Sequence, residues 1–502
     1  MGQSIATDAH REMGEVDRIE SQVEAALDWL RPQLLDLARA VQVGQLTPAV
    51  FFQLELQLFQ LLRDFGRLLL ERLLNEREGD GTFLPHDVID DGQGYRRLGK
   101  KTRNAHVATL FGTICLWRFA YRFWDPLLKE ACIFPLELQL GLIQGATPAL
   151  ADYIGQRLAE AGATQQRVLQ RLQEEQGVSM GVKRLRQLVS ALHEGLSEHR
   201  QAAQVEALLT ALRKADESPG NRKPVLAVGR DGITLCEYQH RFWEVATTAT
   251  VTVYDRAGKR LATICLAFRP ELGQATMSQM LTELLTAVFQ PWQGPLPTLA
   301  YVTDSGDQES SYFEESLTSM RHPRTGKRLP WQRVVDFYHT AIRVWAMGEA
   351  LFGKGRPRCQ RWVRRMLSIL KRKPRGAQRV LHSAAAFASR RKMGKSRTKK
   401  FRQAYNYLRK RTKWMRYSEY KKRHIPIGSG ITEAACKTVS TQRLKLSGMR
   451  WKRDGAQQIL TLRTVLLSRT WATTYARFLA TREAAIPTPY ANHRPKTVKI
   501  AA

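Results

Sequence analysis

The stretch IPIGSGITEAACKTVSTQRLKLSGMRW, residues 425–451, decides how the fold of this chain is interpreted. A proline and two glycines open it, which is typical of a loop that continues neither as a helix nor as a strand. A helical register follows, and four of its residues are spaced to share one face: Glu433, Lys437, Ser440 and Leu444. Taken alone, this stretch is better explained by a solvated Glu–Lys pair, which stabilises a helix by about 0.2–0.5 kcal/mol. An interpretation of Glu433 as part of a larger acidic site requires further acidic residues elsewhere in the chain.

The charge of the chain points to a polyanionic partner. Its 502 residues include 79 Lys or Arg and 46 Asp or Glu, for a net charge of +33. This excess indicates nucleic acid, with an anionic membrane surface as the alternative. Because no run of about 18 apolar residues is present, we predict no transmembrane helix and no membrane partner. Six scattered cysteines without CxxC spacing, and no signal peptide, predict a cytoplasmic protein with reduced thiols.

The first 137 residues are predicted to hold two helices and a short pair of strands. Region 1–95 contains a leucine stripe at positions 27, 30, 34 and 37, and a second apolar stripe of Leu54, Leu58, Leu61, Phe65 and Leu68. Such stripes form either a dimer seam or a hairpin packed within its own domain. Thr47 and Pro48 are the predicted start of the second helix. After a glycine-rich linker at 79–94, region 96–137 should form a β-pair over 106–111 and 113–123.

Region 138–220 has the proportions of a helix-turn-helix. A helix is predicted over 165–175, a break at 176–177 and a second helix over 180–196. Three cations near the start of the second helix are candidate DNA contacts: Lys183, Arg184 and Arg186. An ordinary αα-hairpin fits the same pattern equally well, and only the overall charge favours DNA.

Region 221–345 changes to strands. The pattern predicts strands over 225–228, 243–254, 261–268, 299–303 and 333–336, with helices over 277–289 and 308–320. The order β-β-β-α-β-α-β is that of a ribonuclease-H-like sheet, in which the ends of the first and fourth strands lie side by side. The predicted fold class is therefore multidomain α+β, with a ribonuclease-H-like core in regions 221–345 and 425–480.

Region 346–424 is predicted to be an all-helical, basic insertion into that core. Residues 354–423 contain 27 Lys or Arg and one acid, Glu419, for a net charge of +26. Interleaved aromatic residues indicate a folded segment, and we assign them to its core rather than to base stacking. Six cations of this region are candidate DNA contacts: Arg364, Arg365, Lys371, Arg372, Lys399 and Lys400. Residues 481–502 are predicted to be a loosely held tail.

Asp231 and Asp304 each follow a predicted strand and precede a glycine. Either one alone is more typical of a turn, but together with Glu433 they predict three convergent carboxylates. Such carboxylates repel one another unless a cation lies between them, and their hard oxygen atoms select Mg²⁺ or Mn²⁺. Two such ions are the known device for in-line displacement at phosphorus. The nearby Asp307 and Glu309 are the main rival acids.

The motifs GRDG, VTDSG and GSGITEAACK, followed by QRLKLSGMRW, closely resemble those of bacterial insertion-sequence transposases of the DDE type. The Kra-type insertion-sequence family is the most similar group, and the resemblance covers roughly residues 100–475. It implies that Asp231, Asp304 and Glu433 are the catalytic, metal-binding triad. The DFYH segment resembles a D-x-x-H signature near the active site of Mutator-related transposases, which implies that His339 contacts the scissile phosphate or orients the attacking group. A histidine that only makes structural hydrogen bonds at a strand–helix junction would fit this position equally well.

This resemblance implies an enzyme that binds the terminal repeats of its element, cleaves them and joins the 3′-hydroxyls to target DNA. Lys437 and Arg443 follow the Glu on the same helix and are candidate phosphate contacts. Many relatives carry a cysteine pair where this chain has only Cys132, so no zinc is expected. Cutting two ends implies at least a homodimer. The alternatives are a domesticated transposase that only binds DNA and a ribonuclease-H-like nuclease; an RNA-binding protein is more distant.

Overall fold

The computed structural model describes residues 2–43, 45–125, 131–236 and 243–490, so the last part of the predicted tail lies outside the described residues. The chain is a mixed α+β protein that forms two compact units. Unit 1 comprises Met1–Leu158, Ala163–Gly195 and Tyr475–Ala502, and unit 2 comprises Ala159–Gly162 and Leu196–Thr474. One boundary between the units falls within the helix Val182–Glu217 rather than near residue 220. Within the described ranges no helix is both long and apolar enough to cross a lipid bilayer.

Unit 1 combines helices with a four-stranded antiparallel sheet of order β3-β2-β1-β9. Its elements are α1 (Gly2–Val43), α2 (Pro48–Glu76), β1 (Asp87–Asp90), β2 (Gln93–Thr109), β3 (Gly112–Phe123), α3 (Pro135–Gln139), α4 (Pro148–Ala159), α5 (Gln165–Gln176), the first part of α6 (Val182–Glu217), most of α17 (Trp471–Ala484) and β9 (Thr488–Pro489).

The predicted linker at 79–94 is wrong, because it contains β1 and the start of β2. These two strands are joined by Asp91 and Gly92, whose φ angles are 46° and 75°. Two consecutive left-handed residues make the tight hairpin turn that Asp-Gly favours. The β-pair itself is confirmed, although β2 begins well before residue 106.

The helical predictions for unit 1 hold in outline. The Thr47 hydroxyl accepts a hydrogen bond from the Val50 amide at the start of α2, as its position predicted. Leu61 of the predicted dimer stripe is buried and Phe65 and Leu68 are half-buried, so much of that stripe is not a free surface. Gly177, with φ 64°, ends α5 at the predicted break. The next helix, α6, has 36 residues and is far longer than predicted.

Unit 2 is built on a five-stranded mixed sheet of order β6-β5-β4-β7-β8. Strands β4 to β6 pair antiparallel, whereas β7 runs parallel to both β4 and β8. The elements are β4 (Val225–Cys236), β5 (Trp243–Tyr254), β6 (Arg260–Phe268), α7 (Ala275–Phe289), β7 (Thr298–Thr303), α8 (Asp307–Ser311), β8 (Gln332–Val335), α9 (Phe337–Phe352), α10 (Pro357–Arg372), α11 (Gly376–Ser389), α12 (Lys395–Arg411), α13 (Tyr417–Lys422), α14 (Gly430–Ala435), α15 (Gln442–Leu444) and α16 (Arg453–Leu467).

Both faces of this sheet are covered, as alternating side chains in β4 show. Val225 and Ala227 belong to a core shared with α9 and the insertion helices α10 to α13. Leu226 and Val228 belong to a second core with α6 and α7. The basic insertion is therefore a folded helical layer. Its aromatic side chains are mostly core, as predicted: Trp362, Phe401, Tyr417 and Tyr420 are buried, and Phe387, Tyr405, Tyr407 and Trp414 pack against them.

The helix after Glu433 departs from the predicted register. After α14 the backbone forms a π-helical segment, Cys436–Thr441, before α15. Glu433 and Lys437 are exposed, whereas Ser440 and Leu444 are buried, so the predicted common face is wrong. The wider π turn rotates the later residues inward. Arg463 of α16 stabilises this segment by donating hydrogen bonds to the carbonyl groups of Thr438 and Val439.

Candidate active site

Three aspartates lie in one row across the parallel strands of unit 2. Val228 pairs with Tyr301 and Thr303 pairs with Val335. Asp231 lies three residues after Val228, and Asp304 lies three residues after Tyr301. Asp304 also directly follows Thr303, as Asp336 directly follows Val335. Because neighbouring parallel strands keep their register, these three residues lie at about the same level of the sheet. Asp231 lies within β4, which continues to Cys236 along β5, and so does not follow the strand end as predicted.

Glu433 is brought to this row by a close approach between α14 and β4. The Thr432 hydroxyl lies 2.7 Å from that of Thr250 on β5. A β-carbon at Gly229 would overlap the Thr432 hydroxyl. Only glycine leaves room for α14 to sit this low over the sheet, which explains the first glycine of GRDG.

Asp336 connects the end of β8 to the loop before Glu433. It is fully buried, and its Oδ1 accepts hydrogen bonds from the backbone amide of His339 (2.6 Å) and from its ring Nδ1 (3.2 Å). Its Oδ2 lies 2.5 Å from the Ser429 amide and 3.0 Å from the Ser429 hydroxyl. The same carboxylate therefore caps α9 and fixes the glycine loop.

Asp336, His339 and Glu433 form the tightest group of candidate ligands. Among the described residues, one ligand atom from each lies within 4.8 Å of the others, and His339 Nδ1 is 3.6 Å from Glu433 Oε1. Asp231 and Asp304 are not part of this group. The structure thus brings Glu433 and His339 together, but it does not gather the full predicted triad this closely.

Asp231 and Asp304 nevertheless share the electrostatic environment of Glu433. Burial raises the pKa of Asp231, and the charges of Asp304 and Glu433 raise it further, while hydrogen bonds from the Gly232 amide and the Cys436 thiol oppose this shift. Burial also raises the pKa of Glu309, with the charges of Asp304 and Asp231 adding to it. Burial is the main cause of both shifts, the neighbouring carboxylates add to it, and Arg230 opposes the shift of Glu309.

The donor set fits a hard divalent cation. Carboxylate oxygens and one imidazole converge, which suits Mg²⁺ or Mn²⁺ better than a thiolate-selecting metal. The Ser429 hydroxyl lies 3.0 Å from Asp336 Oδ2 and 2.7 Å from Glu433 Oε1. A hydroxyl has one proton and can donate to only one of these oxygens. The close approach of the hydroxyl oxygen to the second carboxylate oxygen is favourable when a cation or an additional proton offsets the negative charge.

The basic insertion contacts the loop that follows β7. The Tyr407 hydroxyl donates to the backbone carbonyl of Asp304 at 2.9 Å, and Arg411 donates to that of Ser305 at 3.2 Å. Ser305 has a left-handed backbone, with φ 69°, in the turn after Asp304. The insertion therefore helps to fix the backbone that presents this carboxylate.

The predicted DNA contacts differ in exposure. Lys437 and five of the six insertion residues are exposed, and Lys371 is half-buried beside the Phe337 ring. Arg443 is only 1% exposed, and burial lowers its pKa to about 10. Its guanidinium lies over the Trp451 ring, so the predicted phosphate contact is contradicted.

In the predicted helix-turn-helix, Lys183 is exposed. Arg184 donates hydrogen bonds to the carbonyl groups of His106 and Gln144, and Arg186 binds the Gln165 side chain. Arg184 thus has a structural role within unit 1.

Sequence reasoning named Asp336 only as part of the DFYH segment and gave it no role of its own, and it treated Glu309 as a rival to Asp304. Asp336 directly follows a strand, as Asp304 does, and this repeated position was a readable signal. Glu309 is buried beside Asp304, although it follows the strand by several residues. Its burial depends on how α8 folds back, which no local pattern reports.

No protein-family model matches this chain, and no curated protein is similar enough to count as a relative.

Proposed function

We propose that this chain is a metal-dependent DNA transposase of the DDE type, which cleaves the ends of its element and joins them to target DNA. The observation that supports this most directly is the row of Asp231, Asp304 and Asp336 at one level of the sheet, with Glu433 beside it. Carboxylates in this arrangement suit phosphoryl transfer assisted by divalent cations.

The topology of unit 2 supports the same proposal. Three antiparallel strands followed by two parallel ones, in the order β6-β5-β4-β7-β8, match the arrangement expected of a ribonuclease-H-like core. Fold alone does not define an activity, so the proposal depends on the acids at the strand ends.

Asp231, Asp304, Glu433 and Asp336 are the candidate ligands. Bound Mg²⁺ would activate the attacking oxygen and stabilise the departing one. Asp336 orients His339 through two hydrogen bonds and positions Ser429, whose hydroxyl contacts Glu433. The His339 side chain is 41% exposed and can contact a phosphate oxygen at the edge of the site.

The insertion supplies the charge to hold a DNA backbone. Residues 354–423 carry a net charge of +26, and most of the predicted contact residues are exposed. Phosphate contacts of this kind position DNA without reading its sequence, and they weaken with salt.

The test is strand cleavage of DNA carrying the element's ends, with Mg²⁺. Asp231→Asn, Asp304→Asn and Glu433→Gln should each lower the cleavage rate on the order of 10³-fold, because each removes a negative charge from the cation site. DNA binding measured with EDTA should be unchanged. Glu315→Gln is the matched control, since Glu315 is exposed in unit 2 and is not among the candidate ligands. Full activity in any of the three variants would remove that residue from the site.

A DNA-binding protein without catalysis is the second candidate. It is favoured by the position of Asp231 and Asp304 outside the tight ligand group and by the hydrogen bonds that already occupy Asp336. Specific binding of DNA ends with no Mg²⁺-dependent cleavage would support it. A nuclease would cleave but would not join the 3′ end to a second duplex.

A further inference from the structure

The hairpin of α1 and α2 has a large apolar outer surface. On α2, five side chains between about half and three-fifths exposed follow one another along the helix: Phe51, Phe52, Leu56, Phe59 and Leu62. On α1, three further side chains are more than one-third exposed: Leu27, Leu34 and Leu35. We call these eight residues the outer hairpin surface.

Few apolar side chains of the hairpin are buried by comparison. Up to Leu62, the buried apolar side chains described in the two helices are Ala26, Leu30 and Leu61. Two helices that bury so little against each other gain little stability from packing, since a fully buried leucine contributes about 1.5–3 kcal/mol. Large apolar side chains left exposed on two helices that pack against each other mark an interaction surface, so a partner should cover them.

The charge of the hairpin narrows the choice of partner. Residues 41–62 contain a single charged side chain, Glu55, and residues 18–64 contain four arginines and six acids. In a chain of net charge +33, this segment is slightly acidic. DNA and anionic lipid surfaces therefore have no electrostatic reason to bind here. An uncharged apolar surface of another protein is the chemistry that fits.

We propose that this partner is a second copy of the chain, bound through the outer hairpin surface. Two cationic chains repel each other wherever their basic surfaces meet, and this nearly neutral surface removes that cost. Phe52, Leu56, Phe59 and Leu62 follow a 4-3-3 spacing that can line a helix–helix seam.

The area is also sufficient. An aromatic or large aliphatic side chain that is about half exposed leaves on the order of 100 Å² to cover. The five α2 residues fit this description and the three α1 residues are 37–48% exposed, so together they come close to the roughly 800 Å² per partner of a standard stable interface. The contact would be isologous, with each copy giving the same two helices to a four-helix arrangement. This inference uses unit 1 only and does not depend on the proposed function.

The experiment is sedimentation velocity of the full chain without DNA, over a concentration series and in high salt that screens charge repulsion. The wild type should be a dimer that dissociates on dilution. The double variant Leu56→Glu/Phe59→Glu should weaken dimerisation on the order of 100-fold or more, because the interface would bury unpaired carboxylates. Leu272→Glu is the matched control, since Leu272 is 92% exposed in unit 2, and it should leave the dimer intact.

A second measurement protects the test against a folding defect. Both substituted positions are at least half exposed, so the monomer should tolerate glutamate, and far-UV circular dichroism checks this. Hydrogen exchange of the amides of residues 48–62 should slow with rising concentration in the wild type and in Leu272→Glu, but not in the double variant. A wild type that stays monomeric throughout the series would overturn the proposal. So would a double variant that dimerises like the wild type, or a Leu272→Glu variant that dissociates as strongly as the double variant.

Discussion

The basic insertion and the N-terminal hairpin bury their apolar side chains to opposite extents from what their charge suggests. The highly charged insertion buries them, whereas the nearly uncharged hairpin leaves many of them exposed. Residues 354–423 are the most basic part of the chain, yet Trp362, Val363, Met366 and Leu370 of α10 are all buried in a shared core. The hairpin is nearly uncharged around its turn, yet most of its large apolar side chains there are exposed.

The difference shows that burial depends on the number of packing partners more than on apolar content. Four insertion helices and α9 surround one another and lie on a sheet, so each apolar stripe has a surface to cover it. Helix α2 packs against α1, yet most of the large apolar side chains in its first half remain exposed. Lys and Arg do not oppose the packing of the insertion, because they occupy the outer faces of its helices.

The largest expected effect is a core substitution in the insertion. Trp362→Ala should lower the free energy of unfolding of unit 2 by about 3–5 kcal/mol, because it leaves a cavity and removes the bond from the indole nitrogen to Ser383. Urea unfolding followed by circular dichroism measures this. Arg364→Ala, at an exposed position on the same helix, should change it by less than about 0.5 kcal/mol. Similar losses in both variants would mean that the insertion has no cooperative core.

The second effect separates the two regions by charge. Replacing Arg364, Arg365, Lys399 and Lys400 by Gln should weaken DNA binding about 100-fold and make its salt dependence shallower, because about 0.9 counterion is released per phosphate contact. Fluorescence anisotropy with duplex DNA at several salt concentrations measures both. Replacing Arg31 and Arg39 of the hairpin by Gln is the control and should change neither. Equal losses in the two variants would argue against a DNA surface on the insertion.

The smallest effects should appear within the hairpin itself. Leu61→Ala removes a buried side chain of α2 and should destabilise unit 1 by about 2 kcal/mol. Leu56→Ala should cost less than about 0.5 kcal/mol in dilute protein, because the side chain already faces water. Thermal unfolding at low concentration compares them. A larger loss at Leu56 than at Leu61 would reverse the assignment of inner and outer faces.

Local patterns predicted much of the fold. The strands of unit 2 are rich in β-branched residues and bounded by Gly or Asp, and all five were found near their true positions. The start of α2 followed from the Thr-Pro pair. These features depend on a few neighbouring residues, which a single sequence contains.

The errors came from tertiary context. Strand β4 extends past Asp231 because β5 continues to pair with it, and the sequence around Gly232 resembles a turn. The π-helical segment after α14 and the burial of Arg443 depend on α16 and Trp451, which follow later in the chain. Asp336 was visible in the sequence but was assigned no role, because only the sheet register shows that it lies level with Asp231 and Asp304.

Hydrogen bonds of Asp336 and Phe337 join the two ends of the long segment between β8 and Glu433. The Phe337 amide donates to the Ile427 carbonyl at 2.8 Å, next to the bonds from Ser429 to Asp336. These hydrogen bonds therefore join the segment that leaves the sheet after β8 to the segment that returns to it before Glu433. The helices of the insertion could therefore change in length or number without changing the spacing of the acidic residues, because these hydrogen bonds hold the two ends of the insertion together.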